Sequence, residues 1–416
     1  MIKPPARRSL APKTGNEPPT GVPPTMAWSR AVIAPTVQSI TTSMPYFLTG
    51  TLAVRLRSDL DISEFGLGAL FSVFAVGAAA TAMATGWLVE RVGPGPSLRA
   101  ASVATGVVLL AIALLADGWL SYAILFALAG VASTVVQAAS NLWLVRTIRA
   151  PRLGLAFGVK QAGGPAAAML AGLALPTIAI ALDWRWIFAA FGMLALAGTL
   201  SVPRTAIARS ASPVPTREGD IAIGPLIVIA AGVGMASASS SAFIGFAVVG
   251  AVDYGGMTES AAGALFAVGA LMGISARVAL GAATDRGWGS PFRVATLLVA
   301  MGAGGFVLLS TGTSVAFVIG VPLSFVTAWG WSGVLHLAIT EANPGSPATA
   351  TGIITTGVCV GLLVGPLAFG LIVGQSFAAA WLAAAGASLG ASAILLVGVQ
   401  LMRRGASTGG APAPAP

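Results

Sequence analysis

Long apolar stretches, separated by short polar breaks, run through almost the whole chain. Each stretch holds about 20 residues or more, the length that an α-helix needs to cross the hydrocarbon core of a bilayer. The pattern predicts an all-α membrane protein with twelve transmembrane helices, called spans 1 to 12 below. The predicted spans are residues 29–54, 65–88, 98–116, 119–145, 153–180, 185–202, 222–250, 260–283, 291–311, 314–338, 349–373 and 377–402.

Composition agrees with this pattern. Of the 416 residues, 56% are hydrophobic and 8% are charged, whereas a soluble domain carries roughly 25% charge. The formal net charge is +9, but the basic residues lie between the apolar stretches, so the expected partner is the lipid bilayer and not a nucleic acid. A single cysteine, Cys359, and a single histidine, His336, give no disulfide framework and no multi-histidine or cysteine-rich metal site. We therefore expect neither metal nor cofactor.

The loop charges indicate how the chain crosses the membrane. Most basic loop residues fall on one side if both termini share that side, and an excess of Lys and Arg marks the cytoplasmic side. We therefore expect a multi-pass, monomeric protein of the cell inner (plasma) membrane with both termini cytoplasmic. The basic residues on the predicted cytoplasmic side are Arg91, Arg99, Arg146, Arg149, Arg152, Arg204, Arg209, Arg217, Arg286, Arg293, Arg403 and Arg404.

A polar connection at residues 203–220 divides the spans into two sets of six. The predicted halves are residues 26–202 and 221–404, and the tails 1–25 and 405–416 are expected to be disordered. Three residues of the loop after span 2 recur 195 residues later with Asp in place of Glu, and a shorter match links spans 5 and 11 at an offset of 194. Such parallel repeats occur in transporters whose site lies between the halves. The recurring residues are Gly86, Glu90 and Arg91, then Gly281, Asp285 and Arg286.

The loop at residues 86–93, GWLVERVG, resembles the signature loop of the major facilitator superfamily, and residues 281–286, GAATDR, resemble its second-half copy. The resemblance implies two six-helix pseudo-symmetric halves, transport by alternating access, and a pathway lined by spans 1, 4, 7 and 10. It also implies that the six recurring residues form a conformational latch, because a carboxylate and an arginine at a helix end can hold neighbouring helices together while glycine permits close contact. Residues 158–165 and 183–186 are similar to the cyanate-transporter-like branch.

Two charged residues lie well inside the predicted spans, Lys160 in span 5 and Arg277 in span 8. No Asp or Glu lies within a predicted span, and the repeat places uncharged Ile354 and Ala82 at the equivalent positions. A ligand that supplies negative charge explains this pattern; the alternative is that each cation snorkels to the interface or pairs with a carboxylate. The spacing of Arg277 and Asp285 resembles the eighth helix of oxalate/formate-type and monocarboxylate-type carriers, which implies that Arg277 holds a substrate carboxylate.

Polar residues at helical spacing predict the rest of the site. Gln137 and Asn141 lie four residues apart in span 4 and share a face, as do Trp329, Ser332 and His336 in span 10. The alternatives are that hydroxyls and tryptophans serve helix packing, and that the histidine is either proton-linked or merely polar. The predicted substrate-binding residues are Lys160, Arg277, Gln38, Gln137, Asn141, Ser237, Ser241, Trp329, Ser332 and His336.

These residues favour a secondary active transporter of a small anion, either an organic carboxylate or a cyanate-like ion, with a proton or a counter-anion as the coupling species. The alternative is an exporter of a hydrophobic drug or secondary metabolite, which the glycines of span 11 and the pair Trp329 and Trp331 favour. An enzyme is not expected, because one histidine, one cysteine and no acid within a span leave no catalytic dyad or metal centre.

Overall fold

The computed structural model describes residues 28–148, 150–179, 181–203, 223–285, 289–343 and 347–408. The predicted tail 1–25 lies outside these residues, and so does nearly all of the predicted linker 203–220. The described residues form fifteen α-helices and no strand. The helices are α1 Trp28–Thr51, α2 Ala53–Leu60, α3 Glu64–Val92, α4 Pro94–Leu115, α5 Trp119–Thr147, α6 Ala150–Gln161, α7 Gly163–Ala174, α8 Trp184–Gly198, α9 Ile223–Val249, α10 Glu259–Asp285, α11 Pro291–Ser310, α12 Ser314–Val326, α13 Trp331–Ala342, α14 Pro347–Val373 and α15 Phe377–Thr408.

These helices make up the twelve predicted spans. Span 1 is α1 with its continuation α2, span 5 is α6 with α7, and span 10 is α12 with α13. Each other span is one helix, in the order α3, α4, α5, α8, α9, α10, α11, α14 and α15. The last helix continues to Thr408, beyond the boundary at Arg404 that the sequence predicts, so only residues 409–416 of the predicted tail lie outside the described chain.

Eleven segments of the described chain are long and apolar enough to cross a membrane, and α1 is not among them. This helix is 24 residues long but rich in hydroxyl and amide side chains. Several of them, including Gln38, Thr41, Thr42 and Thr49, are buried between helices. Span 1 is therefore an interior helix, and its low hydropathy reflects contact with protein more than with lipid.

Glycines allow α14 and α9 to pack with their backbones in contact. A β-carbon on Gly357, Gly361 or Gly365 would lie 2.2 Å from a carbonyl oxygen of α9. The three glycines are four residues apart and therefore follow one face of α14. Close packing against α9 thus accounts for Gly361 and Gly365 of the glycine pattern in span 11, whereas Gly352 of that pattern meets nothing within 4 Å.

Among the described residues, the hydrophobic core that the two halves share lies toward one side of the membrane. Twelve crossings place Trp28 and Thr408 on the same side, called the terminal face here, and the other side is the opposite face. From the middle of the molecule to the opposite face, residues of both halves share one hydrophobic core, which includes Phe47 and Phe243. Toward the terminal face there are two cores, one formed by each half, around Trp143 and Trp331. In the described part of the chain, the halves are therefore packed together at the opposite face and have separate cores at the terminal face.

Candidate functional site

Lys160 lies at the end of α6 among neutral amide groups. Its side chain is buried, with 2% of the residue exposed. Nζ donates hydrogen bonds to Oε1 of Gln137, to Oδ1 of Asn141 at 3.3 Å and to Oε1 of Gln161 at 3.3 Å. Gln137 and Asn141 reach it together because they are one turn apart on α5. We call Gln137, Asn141 and Gln161 the amide ring.

No carboxylate pairs with this lysine among the residues that the structure describes. The ion pairs formed there join Arg55, Arg57 and Arg185 to acidic residues of the opposite face. A buried charge is costly unless it is paired or well hydrogen-bonded. The amide ring supplies hydrogen bonds to Lys160 but no negative charge.

Arg277 on α10 forms the second cationic group. Its Nη2 donates to the backbone oxygen of Trp329 and to Oγ of Ser332, the latter at 3.4 Å. The guanidinium carbon lies 4.5 Å from the centre of the Trp329 ring, a cation–π contact. Its Nε is buried without a hydrogen-bond partner. The Nε–H is therefore a donor that no described residue uses.

A break in span 10 supplies the acceptor for Arg277. Residues 327–330 form a turn between α12 and α13, so carbonyl groups there are released from the usual helical ladder. The oxygen of Ala328 accepts from Ser240 Oγ, and that of Trp329 accepts from Arg277. Non-helical backbone at membrane depth is tolerated where protein or a cavity satisfies it, and broken helices of this kind form transporter sites.

Trp329 packs between Arg277 and the N-terminal half. Its ring centre lies 5.6 Å from that of Phe47 on α1, in an edge-to-face contact. Its Cη2 lies 3.9 Å from where a β-carbon on Gly164 would be, and Gly164 is one turn beyond Lys160. The ring that stacks on Arg277 in the C-terminal half thus contacts the N-terminal half beside Lys160.

Three predicted residues lie in helix contacts and not at these cations. Gln38 is fully buried, donates from Nε2 to the backbone oxygen of Gly198 at 3.0 Å and accepts from Ser102. Ser237 and Ser241 face Gly361 on α14, to which Ser241 donates at 3.4 Å. Their spacing predicted a polar stripe, but the face that they occupy is used for packing.

His336 and Trp331 also have local partners. Nδ1 of His336 is 2.7 Å from the oxygen of Ser332, one turn earlier in the same helix. Trp331 is 3% exposed, and its Nε1 donates to Ser240 Oγ at 3.5 Å. Trp331 is therefore a packing residue, and the ring available at the site is that of Trp329.

Two predicted latch residues of the first half, Glu90 and Arg91, are exposed on the terminal face, and Gly86 is half-buried. Glu90 is exposed and joins none of the ion pairs formed by described residues. Arg91 stacks on Trp87 with 5.1 Å between the guanidinium and the ring centre, and a β-carbon on Gly86 would meet nothing within 4 Å. The side chains of the second copy, Asp285 and Arg286, lie outside the described part of the chain.

At the opposite face, two ion pairs join the halves. Nε of Arg55 is 2.6 Å from Glu259, and Nη1 of Arg57 is 2.8 Å from Asp253. The charges of the two loops are visible in the sequence. Their pairing could not be predicted, because it depends on how the two halves approach each other.

Comparison with known proteins agrees with this architecture. Residues 36–366 match the family model of the Major Facilitator Superfamily, and the chain therefore belongs to this superfamily of membrane transporters. No protein with a curated description matches it in sequence.

Solved transporters share the fold at low sequence identity. A D-xylose–proton symporter is 13% identical, with a TM-score of 0.76 over 88% of this chain and 96% of its own. A point mutant of the nucleoside transporter NupG is 12% identical, with a TM-score of 0.71 over 88% and 99%. A bacterial homolog of the human lysosomal transporter Spinster, inward-facing and occupied, is 14% identical, with a TM-score of 0.70 over 93% and 99%. These similarities establish the fold but do not identify the transported substrate.

Proposed function

We propose that this protein is a secondary active transporter of a small anion, an organic carboxylate or a cyanate-like ion, with Lys160 and Arg277 as its electrostatic anchors. One observation carries the proposal: two cations lie within the membrane-spanning part of the molecule, and neither has a carboxylate partner among the described residues. An anion supplies the charge that the protein itself does not.

The anchors suit transport by alternating access because they belong to different halves. Lys160 is on α6 and Arg277 on α10, and Trp329 contacts both neighbourhoods. A bound anion attracts both cations, so it favours reorientation of the loaded carrier over that of a carrier with two bare charges. With the terminal face at the cytoplasm of the plasma membrane, as the loop charges predict, the state described above is inward-facing.

Counterflow in proteoliposomes tests the proposal. Purified protein is reconstituted, and exchange of labelled lactate, formate, oxalate and cyanate is measured for the wild type, Lys160→Ala and Arg277→Ala. We expect each variant to lose roughly 10- to 100-fold in kcat/KM, since a hydrogen bond to a charged group contributes about 1.5–3 kcal/mol. Arg293→Ala, which removes an exposed arginine at the start of α11, is the matched control. Wild-type exchange by both Lys160→Ala and Arg277→Ala would refute the proposal.

The second candidate, an exporter of hydrophobic drugs or secondary metabolites, rests on the Trp329 and Phe47 rings beside Arg277. Its other sequence support is weaker, since Trp331 and the span 11 glycines Gly361 and Gly365 are used in packing. Drug resistance in cells that express the protein, undiminished in Lys160→Ala and Arg277→Ala, would favour this candidate.

A further inference from the structure

The amide ring suits a lysine that changes its protonation state. A protonated lysine has three N–H donors, and the structure gives its Nζ three acceptors, one from each side chain of the ring. A neutral amine has two donors and one lone pair. A glutamine or asparagine can turn its amide to present NH2 in place of oxygen, so the same three residues can serve both forms. A carboxylate in their place would stabilise only the ammonium form.

The helices around Lys160 carry no acid. Its helix α6 packs against α1, α5 and α7, and their sequences contain no Asp or Glu. The other charged residues of these four helices are Arg30, Arg146 and Arg152. All of them are cations, so none of them supplies a counter-charge to Lys160.

The remaining titratable groups near this part of the molecule have other surroundings. Tyr46 on α1 packs edge-to-face against Phe71, and Tyr122 on α5 is hydrogen-bonded to Thr49 at 2.7 Å. In the second half, Arg277 stacks on Trp329, and Nδ1 of His336 is bound within its own helix. Among the described residues, no Asp or Glu forms an ion pair with Lys160.

We propose that Lys160 binds and releases the coupling proton, so that the protein carries an anion and a proton in the same direction. This inference rests on the proposed function. In the loaded carrier, the Lys160 ammonium and Arg277 face the anion. When the anion leaves, the proton passes from Nζ to water on the same side, and the amine stays within the amide ring.

The charge balance explains why this step is useful. With a monoanion bound, the two cations and the anion leave one net positive charge at the site. After release of the anion and the proton, Arg277 alone leaves the same charge. The empty carrier then returns without two bare cations in the membrane, which would be costly. A carrier whose Lys160 stayed charged would be limited to exchange of one anion for another.

Net uptake and exchange therefore separate the two cases. Proteoliposomes containing the full chain are tested with labelled lactate, formate or cyanate, and protein-free vesicles give the leak of the neutral acid. For the wild type we expect uptake into anion-free vesicles, driven by an inward proton gradient, accompanied by proton entry and insensitive to membrane potential. For Lys160→Arg, which keeps the charge but does not release it, we expect the ratio of net uptake to counterflow to fall about tenfold or more.

Wild-type uptake without proton entry would overturn the inference, as would a Lys160→Arg protein with an unchanged ratio and unchanged pH dependence. If Lys160→Arg does not fold or exchange, Gln137→Glu decides, because a carboxylate beside Nζ should retain the proton and lower the same ratio. An unchanged ratio in that variant counts against the inference. Exchange of anions without proton coupling would leave the proposed anion transport intact and refute only the coupling role of Lys160. Absence of exchange with every probe would refute both the proposed function and this inference.

Discussion

At the residue scale, the two cations within the spans differ in how fully their donors are used. Lys160 has an acceptor for each of its three hydrogens, all from neutral side chains. Arg277 leaves Nε without a partner and uses Nη2 on a backbone oxygen and a hydroxyl. The arginine therefore keeps one N–H donor unused, whereas the lysine must give up an amide contact before it can bind an anion.

His336 gives a prediction at the same scale. Because Nδ1 is bound within its own helix to Ser332, we expect His336→Gln to change kcat/KM by no more than about threefold and to leave the pH dependence of transport in place. Transport and substrate binding are measured across a pH series for the variant and the wild type. Complete loss of pH-dependent transport with binding preserved would contradict this prediction and assign the proton to the histidine.

At the element scale, interruptions and close contacts of helices build the site. The break in span 10 exposes the carbonyl that holds Arg277, and glycines on α14 bring that helix against α9. Periodicity predicts both helices but neither of these features. The break depends on contacts made by Trp329 and Ala328, and the glycine contacts depend on which helix lies alongside.

Packing of α14 leads to a stability prediction. A β-carbon at Gly361 would lie 2.2 Å from the oxygen of Gly234, whereas one at Gly352 on the same helix would meet nothing within 4 Å. We expect Gly361→Ala to destabilise the protein by about 1–3 kcal/mol through overpacking. Gly352→Ala should be neutral or slightly stabilising, since alanine favours helix formation. Thermal unfolding of both variants in detergent is the measurement, and equal melting temperatures would show that α9 and α14 adjust without cost.

At the scale of the whole molecule, closure is asymmetric. The halves share one core and two ion pairs toward the opposite face, and they keep separate cores toward the terminal face. The exposure of Glu90 and Arg91 on the terminal face fits this state, because a latch there would engage only when that face closes. The contacts at the opposite face therefore favour this state, and the latch at the terminal face stays a prediction.

Removing the two ion pairs at the opposite face tests whether they help to keep that face closed. We expect the double variant Asp253→Asn, Glu259→Gln to weaken closure there by about 0.5–2 kcal/mol, since partly exposed pairs contribute about 0.2–1 kcal/mol each. Spin labels at Ser58 and Ser260, two exposed positions on different halves, report the distance across this face in a Cys359→Ser background. The variant should populate longer distances.

Glu64→Gln is the matched control, because Glu64 pairs with Arg57 inside the N-terminal half. If this control widened the distance distribution as much as the double variant, the two pairs between the halves would have no special role in closure.

The candidate site was partly predictable. Charge scarcity identified Lys160 and Arg277, and helical spacing identified Gln137, Asn141, Trp329 and Ser332, all of which the structure brings to one of the two cations. Gln161, which also accepts from Lys160, was not among the predicted residues although it follows Lys160 directly. Gln38, Ser237 and Ser241 lie in helix contacts, and their role in substrate binding stays a prediction, since a polar stripe has the same spacing whether it faces a cavity or a neighbouring helix.

The sequence by itself determined that this chain is a membrane protein, where its spans lie and that its halves repeat. It also identified the two charged residues that lie well inside the spans, Lys160 and Arg277. These properties follow from local hydropathy and from the cost of burying a charge, which depend on residue type. Only the tertiary structure decided which amides surround Lys160, that a broken span 10 holds Arg277, and which face is closed. Those features depend on the relative positions of helices distant in sequence, and hydropathy carries no information about them.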